Sequence, residues 1–344
     1  MKVVQIPRHG GPEVLQLVDA PLPEPHPGEI LVRVLAVSLN HLDLWVRRGM
    51  PGMPIPLPHT PGSDGTGVVV ECGAETSGFQ VGDEVMIMPG VSSGTSEHDR
   101  VGNDHLSDDY GIRGEHCEGI DCDYAVLEPR YLMKLPVGLD AVTTAATPLV
   151  FLTAWGMLVS RARVRATDEV LVLGGASGVG SAAIQIAADI GARVIATAGS
   201  EEKRALASSL GAEEVIDHRD PEWPRAVKRL TRGRGVDVVV EHIGPATWQG
   251  SVRSLARNGR LVTCGGTTGA EVSLLLPHLF MKNLSLLGST MGPRSSFSTI
   301  LEKLASGAYQ PVLERVMPLS EVAEAHRLLE DRDVLGKIVL TPGS

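Results

Sequence analysis

The sequence predicts an α/β protein in two parts: a β-rich segment, then a doubly wound parallel sheet of six strands. Three observations carry this. Residues 169–173 form a short apolar run that leads into a glycine-rich turn and an apolar helical stretch. From there to about residue 288, strand-like and helical stretches alternate. Before it, strand-like runs are separated by Pro- and Gly-rich turns with little helix between them. Strands joined by crossover helices lie parallel, whereas strands joined by turns lie antiparallel.

In the first part, residues 2–6, 15–18 and 29–36 read as antiparallel strands, the third following a proline-rich turn at 21–28. Residues 40–49 read as a short helix starting near Asn40 or Asp43. Pro51, Pro54, Pro56, Pro58 and Pro61 then impose an extended loop. Further strands are expected at 65–71, 84–88, 124–127 and 131–135, around a long polar stretch at 89–118. Residues 141–160 carry no charge but are too rich in Thr, Pro and Gly for a membrane span. A buried segment joining the two parts is the better reading.

In the second part, strands fall at 170–173, 193–197, 214–217, 236–241, 260–264 and 284–288, with helices such as 181–190, 201–210 and 224–230. The end of the chain holds one amphipathic helix, 320–330 with Ser320 as its N-cap, and a last strand at 337–340.

Composition limits the partners. With 344 residues the chain holds about two domains, and 43% hydrophobic with 21% charged residues suits a soluble globular protein. A net charge of −10 disfavours nucleic acid or an anionic membrane as partner. Four irregularly spaced cysteines give no disulfide framework and the first residues lack an apolar signal core, so a cytoplasmic location is expected.

The turn Gly174-Gly175-Ala176-Ser177-Gly178-Val179-Gly180, between strand and helix, matches a dinucleotide-binding fingerprint, with Ser177 in place of its second glycine. Helix N-terminal amides there suit a pyrophosphate. An NAD site carries a carboxylate at the end of the next strand; here the position is Ala198. Its absence admits a 2′-phosphate, with Ser200, Lys203, His218 and Arg219 as donors, against the nearby Glu201 and Glu202. NADP is favoured and NAD is the alternative.

Five markers in order, Asn40-His41-Leu42-Asp43, Gly62-Ser63-Asp64-Gly65-Thr66-Gly67, Gly82-Asp83-Glu84-Val85, Phe151-Leu152-Thr153-Ala154-Trp155 and Gly175–Gly180, resemble the medium-chain dehydrogenase/reductase superfamily over nearly the whole chain. The resemblance implies a GroES-like catalytic domain at 1–150, completed by 312–344, and a Rossmann domain at 151–311. It further implies an active site in the cleft between them, and a homodimer or homotetramer pairing through the strand at 284–288. Zinc-bearing members hold catalytic metal at positions that are Asn40, Ser63 with Asp64, and Leu149 here; their structural-zinc cysteines correspond to Ser93, Ser96, Asp99 and Ser107. Neither set supplies the thiolates or imidazoles that zinc needs, so no metal is expected. This points to the quinone oxidoreductase-like branch, in which Trp45 stands where a tyrosine often approaches the nicotinamide. By the same resemblance Thr153, Gly265, Gly266, Gly288 and Ser289 flank the nicotinamide and Lys337 closes over the cofactor.

Without zinc, the charge left on the acceptor by hydride transfer falls to hydrogen-bond donors or solvent. An enolate from a quinone or α,β-unsaturated carbonyl is delocalised, so the Asn40 amide or Trp45 indole suffices. The alkoxide from a saturated ketone demands a stronger acid. His41 is the nearby candidate proton donor, with a backbone-satisfied helix-start histidine as its alternative. Asp64 and Asp43 read as supporting or capping groups. The expected reaction is hydride transfer from NADPH to a small quinone or enone. An alcohol dehydrogenase or carbonyl reductase, and a non-catalytic NADPH-binding sensor, remain alternatives.

Overall fold

In the computed structural model, which describes every residue except Pro51, Asp333 and Ser344, the chain divides into two compact units. Met1–Leu149 with Pro293–Ser344 form one, and Val150–Gly292 the other. The expected return to the first part at 312 therefore comes earlier. Arg294 N donates to Asp104 Oδ1 at 2.8 Å and Ser295 Oγ to Gly102 O at 3.2 Å, which tie the segment after 293 to the polar stretch of the first unit.

Ile30–Ser38 is the central strand of the first unit. Val32, Val34 and Val37 are buried, with Val69, Val85, Ile87, Ile338 and Leu340 from neighbouring strands. It pairs with Gly65–Cys72 on one edge, and with Tyr124–Leu127 and Lys337–Thr341 on the other. The sheet continues through Glu84–Ile87 to Leu132–Lys134, and through Lys337–Thr341 to Leu313–Pro318. A Cβ on Gly65 would sit 2.2 Å from Ala36 O, so only glycine permits this pairing. Leu313–Pro318 was not expected as a strand; none of its residues is buried and its apolar and polar residues do not alternate. Ser320 is not an N-cap either. It lies in a 3₁₀ turn, Leu319–Glu321, and the helix Val322–Glu330 begins after it.

Helix His41–Arg48 follows the central strand at once. Asn40 N donates to Asp43 Oδ2 at 2.7 Å, tying the first turn back on itself. Its buried Arg47 donates to Gly10 O at 3.1 Å, lies 3.0 Å from His326 Nδ1 and pairs with Glu330. The polar stretch at 89–118 is folded by serine–aspartate hydrogen bonds, with Gly90–Val91 paired to Gly111–Ile112. Pro51 of the proline loop lies outside the described residues.

All six strands expected in the second unit form, in the order Glu214–Ile216, Arg193–Thr197, Glu169–Val172, Val236–Glu241, Leu255–Thr263, Ser285–Gly288, all parallel. Leu255–Thr263 begins five residues before its expected start at 260, through a register irregularity at Val236/Val238. Ser285–Gly288 is a sheet edge. Residues 141–160 form helices Ala141–Ala145 and Pro148–Trp155 and enter a π-helical turn, Gly156–Arg161. Among the described residues no helix is long and apolar enough to cross a membrane.

Candidate active site

In the second unit the chain order reverses between Glu169–Val172 and Val236–Glu241, and the carboxyl ends of the strands around that point gather the expected cofactor residues. Ser177 explains the imperfect fingerprint. Its hydroxyl accepts from Gly180 N at 3.0 Å and caps helix Gly178–Ile190, so the helix starts three residues before the expected 181. Gly178 and Val179 stand in its first turn, where backbone N–H groups have no intrahelical acceptor. At Gly180 a Cβ would lie 2.2 Å from Gly174 O, so a side chain there would push the turn open. Gly175 N donates to Thr197 O at 2.8 Å, and Gly174 N to Thr197 Oγ1 at 3.1 Å. The first-turn amides of Gly178 and Val179, beside a turn of small residues, fit a pyrophosphate.

Along the same edge, Gly269 N donates to Gly266 O at 3.1 Å, Thr263 Oγ1 to Gly265 O at 3.2 Å, and Ser289 N to Thr263 O at 2.9 Å. Gly288 O accepts from Arg161 Nε at 2.7 Å. Buried Thr153 directs its hydroxyl to Met291 Sδ at 3.4 Å.

The candidate 2′-phosphate residues are near one another but differ in role. Ser200 caps helix Glu201–Ser209 by accepting from Lys203 N at 3.2 Å. His218 Nδ1 lies 3.3 Å from Thr197 Oγ1. Arg219 is drawn to Asp217 at 2.8 Å, a carboxylate that Arg204 also reaches at 3.1 Å.

Two residues that sequence reasoning passed over support this edge. Thr197 joins the glycine turn to His218. Glu241, fully buried, accepts from Ile243 N at 2.7 Å, Gly244 N at 3.1 Å, Thr247 Oγ1 at 2.9 Å and Ser251 Oγ at 2.6 Å. It thereby fixes the start of helix Pro245–Ser254.

In the first unit, antiparallel pairing of Leu340 with Val37 carries Lys337 alongside Asn40. The buried ammonium of Lys337 donates to Leu39 O at 2.6 Å and to Asn40 Oδ1. Asn40 Nδ2 donates to Ser38 O at 2.9 Å and to Asp64 Oδ1 at 2.7 Å. Asp64 Oδ2 accepts from Leu149 N at 2.7 Å. Both amide hydrogens of Asn40 are thus used, and it has none left for an acceptor.

His41 and Trp45 lie one helical turn apart and are half-buried, whereas Asp43, Leu44, Val46 and Arg47 are buried. These two side chains share the accessible face of the helix.

Two buried acids, Asp64 and Asp43, face the lysine, and burial raises the pKa of each. Burial also lowers that of Lys337, opposed by Asp64 and Asp43. Asp43 is pushed up to about 7, by burial first, against the Asn40 amide and Lys337. Between the unfolded value near pH 4 and about pH 7 the folded protein holds a proton on Asp43 that the unfolded chain has lost, so stability falls as pH rises through that window. Asp43→Asn removes this dependence. Urea midpoints of the variant relative to wild type should climb from about pH 4 to 7 and level off above it. Parallel midpoint curves would contradict the assignment.

The positions that carry metal in zinc-bearing relatives do not fit zinc here. Leu149 offers only a backbone amide, Asn40 accepts from an ammonium, and both Asp64 oxygens are engaged. A dication would face the Lys337 charge with no thiolate or imidazole to bind it. The structural-zinc positions are likewise turned inward: Ser96 Oγ donates to Asp99 Oδ2 at 2.6 Å and Ser107 Oγ to Asp109 Oδ1 at 2.5 Å. Among the described residues no group of three or more His, Cys, Asp or Glu could hold a metal ion.

Comparison with known proteins agrees with this architecture. Residues 26–137 match the family described as alcohol dehydrogenase GroES-like domain, and residues 178–306 the family described as zinc-binding dehydrogenase. Human quinone oxidoreductase is 30% identical over 351 residues, covering 99% of this chain and 97% of that protein. A solved NAD-dependent alcohol dehydrogenase is 47% identical with a TM-score of 0.96, all of both chains being covered. A cobalt- and zinc-bound thermostable alcohol dehydrogenase from Pyrobaculum aerophilum is 32% identical with a TM-score of 0.90, over 99% of each chain. A GroES-like first unit, a dinucleotide-type parallel sheet and full-length similarity to both kinds of enzyme lead to one statement: the chain belongs to the medium-chain dehydrogenase/reductase superfamily of oxidoreductases.

Proposed function

We propose that this protein is a zinc-independent, NAD(P)H-dependent reductase that transfers hydride to a quinone or an α,β-unsaturated carbonyl. The observation that carries the reading is the chain of hydrogen bonds Lys337–Asn40–Asp64–Leu149 N, which fills the family's metal positions with a fixed ammonium. A bound nicotinamide dinucleotide supplies the hydride. The first-turn amides at Gly178 and Val179 hold its pyrophosphate, and Thr197 and Glu241 keep the surrounding loops in place. Trp45 and His41 are the donors for the acceptor oxygen, and a conjugated acceptor spreads its charge enough for such groups. A saturated ketone would concentrate that charge on one oxygen without a Lewis acid to receive it.

NADP is favoured by the apolar, buried Ala198 where an NAD site carries an acid. A second reading, an NAD-dependent alcohol dehydrogenase, is favoured by the 47% identical relative of that description.

One assay separates these readings: oxidation of NADPH and of NADH against a quinone, an enone and a saturated ketone, with chelator present. Turnover with NADPH on the quinone or enone alone is expected. Turnover on the saturated ketone, or loss of all turnover on chelation, would reject the proposal. NADH used as well as NADPH would reject the cofactor preference only.

A further inference from the structure

Arg113 belongs to none of the machinery above. It follows the short strand Gly111–Ile112, in a turn closed by Gly114 N donating to Cys117 O at 3.0 Å, and its own amide is anchored to Pro89 O at 2.8 Å. The residue is only 8% exposed. Its guanidinium carbon stands 5.4 Å from the centre of the Tyr131 ring, and its Nε is buried with no hydrogen-bond partner among the described residues. No carboxylate of the described residues pairs with it. Glu118 lines the same cavity as Arg113, but its carboxylate accepts from Thr60 N at 2.8 Å and lies 3.7 Å from His59 Nδ1. Glu128 is held by Arg130 at 2.6 Å.

A buried guanidinium without an acceptor costs several hydrogen bonds' worth of solvation, so such groups in folded proteins find a partner. Here the side chain lines a cavity of about 460 Å³, within the usual range for small-ligand sites. Val3, Cys122, Ala125 and Leu127 are among its apolar walls, and Thr60, Cys117 and Glu118 also line it. Arg113 is the only basic side chain of that lining; the Met1 ammonium, also there, is held by Ala20 O at 2.8 Å. The Glu118 carboxylate in the lining disfavours a dianion, and a planar carboxylate matches the paired N–H groups of the guanidinium.

We propose that this cavity is a binding site for a small organic monocarboxylate, its carboxylate on Arg113 and its apolar body against Val3, Ala125 and Leu127. The site lies wholly within the first unit and does not depend on the reading of the active site.

Hexanoate is the probe, with hexanol as its neutral counterpart. Cys117 lines the same cavity and is exposed, so its alkylation by iodoacetamide, followed by mass spectrometry on the whole protein, reports occupancy without any substitution. A dissociation constant on the order of 1 mM suits a ligand of this size, and about 10 mM hexanoate should then slow Cys117 alkylation roughly tenfold. Cys72, outside the cavity lining, should react at an unchanged rate. Arg113→Met should abolish the protection and, since it removes an unpaired buried charge, should raise the melting temperature of the unliganded protein. Arg113→Lys, which keeps charge but not the paired donors, should bind more weakly than wild type. Equal protection by hexanol would overturn the carboxylate assignment. Absence of protection, or protection that persists in Arg113→Met, would overturn the site.

Discussion

Lys337→Met is expected to lower the stability of the protein by about 3–5 kcal/mol, the usual cost of removing one partner from a buried charged cluster. Methionine fills similar volume, so the loss is electrostatic. Leu39 O and Asn40 Oδ1 each lose a donor, and Asp64 and Asp43 remain buried without the cation that opposes their protonation. Burial already holds both acids toward their neutral forms, and removal of the ammonium strengthens that tendency. The variant should therefore lose most stability at high pH, where its acids are forced to ionise, and least near pH 4. Urea denaturation across pH measures this. The double variant Lys337→Met with Asp64→Asn, which restores charge balance, should recover a large part of the loss. A single variant as stable as wild type at neutral pH would mean that the ammonium is not in the network.

The second large effect is expected at Glu241. Glu241→Ala leaves the amides of Ile243 and Gly244 and the hydroxyls of Thr247 and Ser251 without their shared acceptor, in a site closed to water. A buried acceptor lost with four donors facing it costs about 3–5 kcal/mol. The damage should also reach the cofactor edge, since Thr268 N donates to Ile243 O at 2.8 Å and carries the glycine loop that follows Gly266. Weakened dinucleotide affinity, read by fluorescence titration, should accompany the fall in melting temperature. Glu241→Gln retains an acceptor oxygen and should keep most of both. A variant that loses neither stability nor affinity would remove Glu241 from the account.

The two effects differ in how far the sequence announces them. The parallel sheet was legible because each of its strands is a short apolar run bounded by turn-formers, and the glycine turn lies within one contiguous stretch. Ser177 could be recognised as out of pattern, yet its capping bond to Gly180 N needs the fold to be seen. Glu241 left a faint signal: it ends an apolar strand and is followed by Thr247 and Ser251, four residues apart on one helix face. The Lys337–Asn40 bond left none, since 297 residues separate its partners and only sheet register brings them together. The return of the chain at 293 was missed for a related reason. The contacts that place it are backbone and short side-chain bonds to a polar stretch with no apolar periodicity. Leu313–Pro318 pairs only at a sheet edge and exposes much of its surface, so alternation could not mark it.

That the first unit is assembled from both sides of the second has a consequence for synthesis. When Gly292 leaves the ribosome, the whole of Val150–Gly292 is available and can form its sheet from strands that are near neighbours in sequence. The earlier unit must wait. Part of one edge of Ile30–Ser38 stays unpaired until Lys337–Thr341 arrives, and through that interval Asp64 and Asp43 lack their lysine. A nascent chain paused shortly before residue 337 would present a native second unit beside a first unit with an open strand edge, the state in which a chaperone has most to protect.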